Sequence, residues 1–110
     1  MFKVKGSIWI EGPNGTLMGL GRMSLLDKIE EHGSISEAAR EMKMSYRQAW
    51  ELVDAMNKEA KTPLVTTASG GVGGGGAKLT EEGIATLKYF RQLQQRFDDF
   101  KKAETRKLKI

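Results

Sequence analysis

Ser45-Tyr46-Arg47-Gln48 is the stretch of this chain whose side chains are best equipped to read another molecule. An arginine can bridge the O6 and N7 acceptors of guanine, and a glutamine can pair with adenine. Arg47 and Gln48 supply both groups side by side. Ser45 and Tyr46 can contact phosphate oxygens. Arg40 and Lys43 flank a turn just upstream, where a phosphate strand would pass. Trp50, Glu51 and Asp54 follow. The two acids restrict any approach of a polyanion to the beginning of the segment. An ordinary solvated helix face accounts for the same residues equally well. Trp50 sits just inside its helix and is expected to be partly buried, its N–H bonded at the edge.

Ser69 to Gly76 (SGGVGGGG) holds six of the 13 glycines. Gly71 to Gly76 fits the spacing G-x-G-x-x-G. The dinucleotide motif needs a helix directly after it inside a βαβ unit. Here Ala77-Lys78-Leu79 reads as strand, and six glycines in eight residues produce the spacing by composition. A loop tip fits better, because glycine lets backbone approach a phosphate or a groove wall closely. Ser69, Gly70, Gly71, Gly73, Gly74 and Lys78 would be its contacts. A linker remains the alternative for the tip.

Other chemistries lack their residues. The chain has 110 residues, no cysteine and one histidine. Disulfide scaffolds, thiolate zinc sites and cysteine nucleophiles are therefore excluded. His32 ends a helix, where a cation complements the dipole, and no metal is expected there. No triad or paired-carboxylate arrangement has supporting context, so neither an enzyme nor a cofactor is expected. No apolar run approaches the ~18 residues of a membrane span, and Met1-Phe2-Lys3-Val4-Lys5 leads into no signal core. A cytoplasmic protein without membrane contact is expected. The net charge is +4. Residues 101–110 hold five basic side chains against Glu104, which accounts for all of it. Residues 1–100 are neutral.

The elements that must position these residues follow from patterning. Residues 3–11 alternate, with Val4, Ile8 and Ile10 on one side, which predicts a strand. Gly12-Pro13-Asn14-Gly15 is turn chemistry, and Thr16–Leu20 returns as a second strand. Residues 22–32 place Met23, Leu26, Ile29 and Leu25 on one helix face, and Gly33 closes it. Ser34 with Glu37 has capping-box spacing, with Ser36 a competing cap, and the second helix reaches about Met42. Lys43-Met44 turn the chain. Ser45 with Gln48 repeats the start signal, and the third helix runs to about Ala60 over Ala49, Val53 (or Leu52) and Met56. Pro63 stops it. Leu64–Thr67 and Ala77–Leu79 form a hairpin. A last helix over 80–104 begins at Thr80 and would be about 37 Å long. Phe90/Phe97 and Leu93/Phe100 are each seven apart, a heptad-like seam for a second copy. The competing expectation is that these rings cap the monomer's own core.

Helix, short helix, tight turn, longer helix, hairpin is the order of a winged helix-turn-helix. The expected fold class is α+β, mainly α, with an N-terminal β-hairpin and a long C-terminal helix. Residues 1–100 would be the domain and 101–110 a basic tail. The residues GSISEAA (33–39), SYRQAW (45–50), Met56-Asn57, Leu64-Val65, GGVGGGGA (70–77) and LTEEG (79–83) resemble the N-terminal DNA-binding domain of the ModE-type molybdate-responsive transcriptional regulators, a winged helix-turn-helix related to the LysR type. The resemblance covers roughly residues 20–100. It implies a dimeric regulator of double-stranded DNA, with the helix from Ser45 in the major groove and the glycine loop as wing. The terminal helices, through Phe90, Leu93, Phe97 and Phe100, would help dimerise. Full members carry C-terminal molybdate-binding domains that this sequence lacks, so molybdate binding is not expected of this chain alone. A protein-interaction module, or oxyanion binding by the glycine loop, are the competing functions.

Overall fold

A computed structural model describes residues 1–68 and 76–110. The chain begins as an extended arm and then forms a short antiparallel hairpin, β1 (Ile10–Glu11) and β2 (Thr16–Met18). Three helices follow: α1 (Leu20–His32), α2 (Ile35–Glu41) and α3 (Tyr46–Glu59). A second hairpin, β3 (Val65–Thr67) and β4 (Ala77–Leu79), leads into α4 (Glu81–Lys107). This is the winged helix-turn-helix order.

The helix boundaries come from local chemistry. Gly33 adopts φ 66° at the end of α1, and its N–H donates to the Ile29 carbonyl. The Ser34 hydroxyl, not that of Ser36, accepts from the Glu37 N–H at 3.1 Å. Ser45 and Gln48 form a reciprocal capping box: the Ser45 hydroxyl accepts the Gln48 N–H at 3.0 Å, and the Gln48 side-chain oxygen accepts the Ser45 N–H at 3.3 Å. Thr80 caps α4 through the Gly83 N–H.

One core joins these elements. Leu25, Leu26 and Ile29 of α1 meet Ala38 and Ala39 of α2, Ala49, Val53 and Met56 of α3, and Leu87 and Phe90 of α4. Leu64, Val65, Ala77 and Leu79 close it beneath the second hairpin. Gly83 is buried because α4 begins against the chain at Leu64; a Cβ there would lie 2.1 Å from the Leu64 carbonyl oxygen.

Two expectations are corrected. The strand expected over 3–11 pairs only at its last two residues. The alternation itself holds, since Val4, Ile8 and Ile10 are half-buried and their neighbours exposed. Its partner is a helix rather than a strand. The Val4 N–H donates to the Thr105 hydroxyl at 2.9 Å, and the Lys101 ammonium to the Gly6 carbonyl at 3.2 Å. The boundary expected at residue 100 falls inside α4, which continues to Lys107. Most of the basic tail is therefore helix. At 27 residues α4 is about 40 Å long, and past Phe90 none of its residues is buried. The molecule measures 61 × 28 × 21 Å.

Candidate nucleic-acid interface

The turn between α2 and α3 is tight because of its backbone. Lys43 lies in the left-handed region at φ 57°. The Met44 N–H reaches back to the Ala39 carbonyl at 3.0 Å and the Lys43 N–H to the Arg40 carbonyl at 3.1 Å. This is a Schellman-type ending with lysine where glycine is usual. A non-glycine residue there costs of order 1 kcal/mol or more. The reward is position, because an exposed cation is held at the corner from which α3 departs.

α3 buries Ala49, Val53 and Met56 and turns its other face outward. At its leading end Ser45, Tyr46, Arg47, Gln48 and Trp50 are all exposed. Arg47 is 88% exposed and its Nε donates to Glu51 at 3.1 Å, leaving the terminal nitrogens projecting. The Gln48 oxygen is engaged in the capping box. A bidentate contact with adenine uses that same oxygen as acceptor, so a base read by Gln48 would share it with the Ser45 N–H through its second lone pair. Trp50 differs from expectation: it is 46% exposed, and no hydrogen bond of its N–H occurs among the described residues. Ala49, Val53 and Met56 form the buried stripe of α3, and Trp50 stands at its edge, next to Ala49 and one turn before Val53, with much of its ring outside the core. Arg40 is exposed and pairs with Glu37 at 3.3 Å.

Asn57 ties α3 to the second hairpin. Its carbonyl oxygen accepts the Leu64 N–H at 2.8 Å and the Val65 N–H at 3.1 Å, and its amide donates to the Val65 carbonyl at 2.9 Å. The Ala77 N–H of β4 donates to the Gly33 carbonyl at 2.9 Å. The root of the wing is thus bolted to α3 on one side and to the α1–α2 corner on the other. Thr66 faces Lys78 across the ladder, and both line a groove of about 450 Å³ with Gly33, Thr67 and Gly76. Lys78 is exposed. The expected contacts Ser69, Gly70, Gly71, Gly73 and Gly74 lie outside the described residues. In the sequence Asn57 is marked only by the family resemblance. Its signal was a polar residue at the edge of a buried stripe, i+4 from Val53, shortly before a strand.

Glu31, His32 and Glu41 also gather where α1 and α2 end, their ligand atoms within 4.8 Å of one another. These types and spacings could hold a metal ion. The place is taken by the Lys28 ammonium, which bonds Glu41 at 2.8 Å and Glu31 at 3.4 Å, while His32 bonds Glu41 as well. The hydrogen bond from Lys28, then that from His32, holds the Glu41 carboxyl below its ordinary value. The Glu41 bond likewise raises the Lys28 ammonium. The cluster is an ion-pair clamp across the first two helices.

The seam residues separate. Phe90 is fully buried in the core and Leu93 packs against it. Phe97 lies under the arm, close to Gly6, with the Lys101 ammonium 4.8 Å from its ring centroid. Phe100 stacks on Phe97 at 6.4 Å and remains 56% exposed. Of the four, Phe100 offers the most surface to a second copy. Among the described residues no helix is long and apolar enough to cross a membrane.

Residues 20–84, from the start of α1 to the first turn of α4, match the family described as bacterial regulatory helix-turn-helix protein, LysR family. The chain is 41% identical over 80 residues to the molybdenum transport protein ModE of Azotobacter vinelandii, covering 73% of this chain and 30% of that protein. It is 52% identical over 69 residues to the molybdenum-pterin-binding protein MopB of Rhodobacter capsulatus, covering 63% and 26%. It is 42% identical over 74 residues to the DNA-binding transcriptional dual regulator ModE of Escherichia coli, covering 67% and 28%. The chain thus spans 26–30% of the length of these relatives.

Proposed function

The chain belongs to the LysR-type bacterial regulatory helix-turn-helix family, and on that premise we propose that it binds double-stranded DNA as a homodimeric transcriptional regulator. The leading end of α3 enters the major groove, and the wing from β3 to β4 meets the backbone or the minor groove. The observation that carries this is the exposed, capped start of α3 beside a wing root fixed to the same helix. Arg47 is the proposed base reader, through guanine. Tyr46, Lys43 and Arg40 hold phosphate, and Trp50 lies against the groove wall. Gln48 serves first as a cap. The wing contacts are Lys78 with Ser69, Gly70, Gly71, Gly73 and Gly74.

The dimer is proposed through the distal half of α4, where Phe100 is exposed beside Phe97. Two copies would set recognition helices about one DNA turn, roughly 34 Å, apart over a pseudo-palindrome. The molybdenum in the relatives' names is not carried over, because only the helix-turn-helix portion of those proteins is matched.

Selection of bound sites from random duplexes tests the reading, followed by binding isotherms on the selected site. Arg47→Ala should cost ~1–3 kcal/mol and relax preference at one position. An equal loss on all sequences would make Arg47 a phosphate contact instead. Absence of any enriched site would overturn sequence-specific binding.

A further inference from the structure

The charge of this chain sits away from the helix proposed to read DNA. Residues 10–100 hold 11 basic and 13 acidic side chains. The arm, residues 1–9, has Lys3 and Lys5 and no acid, and residues 101–110 have five basic groups against one acid. The fold brings these two basic segments together, although they are at opposite ends of the sequence. The arm lies along the last turns of α4, held by the bond from Val4 to Thr105 and the bond from Lys101 to Gly6. Between them runs a groove of about 440 Å³, lined by Lys3 and Val4 of the arm and by Asp98, Lys101, Lys102, Thr105 and Arg106 of α4, so one carboxylate stands among four cations.

The cations of this groove fall into two kinds. Lys101 is engaged, with Asp98 at 3.3 Å and with the Gly6 carbonyl. Its neighbour Lys107 pairs with Glu104 at 2.9 Å. Lys3, Lys102 and Arg106 are exposed and make no ion pair or hydrogen bond among the described residues. Lys102 and Arg106 are four apart on the helix, a like-charge spacing that works against the helix rather than for it. The helix dipole favours cations in a last turn, but it accounts for neither Lys3 nor their convergence on one groove.

We propose that this groove is a second phosphate-binding site for a DNA backbone, distinct from the recognition helix. Lys3, Lys102 and Arg106 are its contacts. A backbone phosphate fits better than a free oxyanion. The groove is open, its cations are long exposed side chains, and the nearby Val4 N–H is already bonded to Thr105. Such a site gains chiefly from counterion release, which a polyanion supplies and a single ion does not. The proposal rests on the DNA-binding reading above. It assigns the nonspecific electrostatic part of affinity to the arm–α4 groove and leaves sequence preference to α3.

The test compares the unaltered chain with a Lys3→Ala, Lys102→Ala, Arg106→Ala variant on a selected and a scrambled duplex across a salt series. Each lost phosphate contact should flatten the slope of log K against log salt by about 0.9, so a loss of up to about 2.7 is expected for the three. The ratio of selected to scrambled affinity should stay unchanged. Lys3→Arg, Lys102→Arg and Arg106→Lys together should restore the slope. A triple-alanine variant that keeps the full slope overturns the groove while leaving the recognition helix standing. Loss of sequence preference in that variant also overturns it. Polyglutamate that competes for the lost component as well as a duplex of equal charge would assign the groove to acidic peptide, against the proposal. If the unaltered chain binds no duplex, the DNA-binding reading falls and the groove assignment with it.

Discussion

The body around α1, α2, α3 and the wing root, and the rod made by the arm and the far end of α4, are held by different forces. The body is apolar inside: the 16 buried hydrophobic residues among the described ones lie between Met18 and Phe90. The rod has none. Among the described residues it is held by one backbone-to-hydroxyl bond, one ammonium-to-carbonyl bond, the cover that Gly6 and Lys101 give Phe97, and the half-buried Val4 and Ile8. Burying a phenylalanine stabilises a fold by about 1.5–3 kcal/mol, whereas a typical hydrogen bond contributes about 0.5–1.5 kcal/mol net. The body can therefore hold its shape alone. The rod gains order from whatever lies against it.

Phe90 and Phe100 stand ten residues apart on one helix and should separate the two regions most clearly. Phe90→Ala should cost ~3–5 kcal/mol in denaturant unfolding, because the cavity opens in the middle of the core. Phe100→Glu should leave monomer stability nearly unchanged and lower the mass seen in sedimentation. A Phe100→Glu variant that unfolds, or a Phe90→Ala variant that does not, would break the distinction. Within the body, Asn57→Ala should cost ~1–3 kcal/mol, since the Leu64 and Val65 N–H groups and the Val65 carbonyl lose their partner. Hydrogen exchange should show the loss concentrated at Leu64 and Val65. Protection unchanged there would mean that the wing root is held by packing alone.

The smallest expected effect is the pH response of the clamp at the ends of α1 and α2. The Glu41 carboxyl is held below its ordinary 4.5. Its contribution is complete above that value and is lost as pH falls through the lowered one. The Lys28 ammonium is held above its ordinary 10.5, so its contribution is complete below 10.5 and is lost as pH rises through the raised value. The clamp is exposed and its share of stability is correspondingly small. Glu41→Gln should flatten the acid limb of melting temperature against pH. An acid limb identical in the variant would remove the clamp from the account.

Local signals were legible in the sequence and long-range partners were not. Ser34, Ser45 and Thr80 start their helices, Gly33 ends one, and Ala49, Val53 and Met56 form the buried stripe of α3. Each signal acts within a turn of helix, so the sequence displays it directly. The arm shows the other case. Its alternation is visible from residue 4 to residue 10, but period two says only that one side is covered. It does not say that the cover is a helix about 100 residues away. Phe90 and Phe100 share one periodic pattern, and only the three-dimensional packing shows that one ends inside the core and the other outside. Trp50 is a similar case: an aromatic residue at the edge of a helical stripe is covered or exposed according to the packing around it, and here it is 46% exposed. The leading end of α3 stands out in the sequence because its residue types match base and phosphate chemistry, and Asn57 only through a resemblance. Its role as a clamp could not be read from either.

That clamp has a mechanical consequence. With Asn57 fastening β3 to α3, and Gly33 fastening β4 to the opposite corner, the second hairpin and α3 are tied to move together at their root. In the proposed complex the compliance must then come from the duplex. A stiff two-point footprint favours sequences whose steps bend or narrow easily between the points it touches. Such a protein would discriminate among bases it never contacts, and its preferred sites would share flexibility as much as letters.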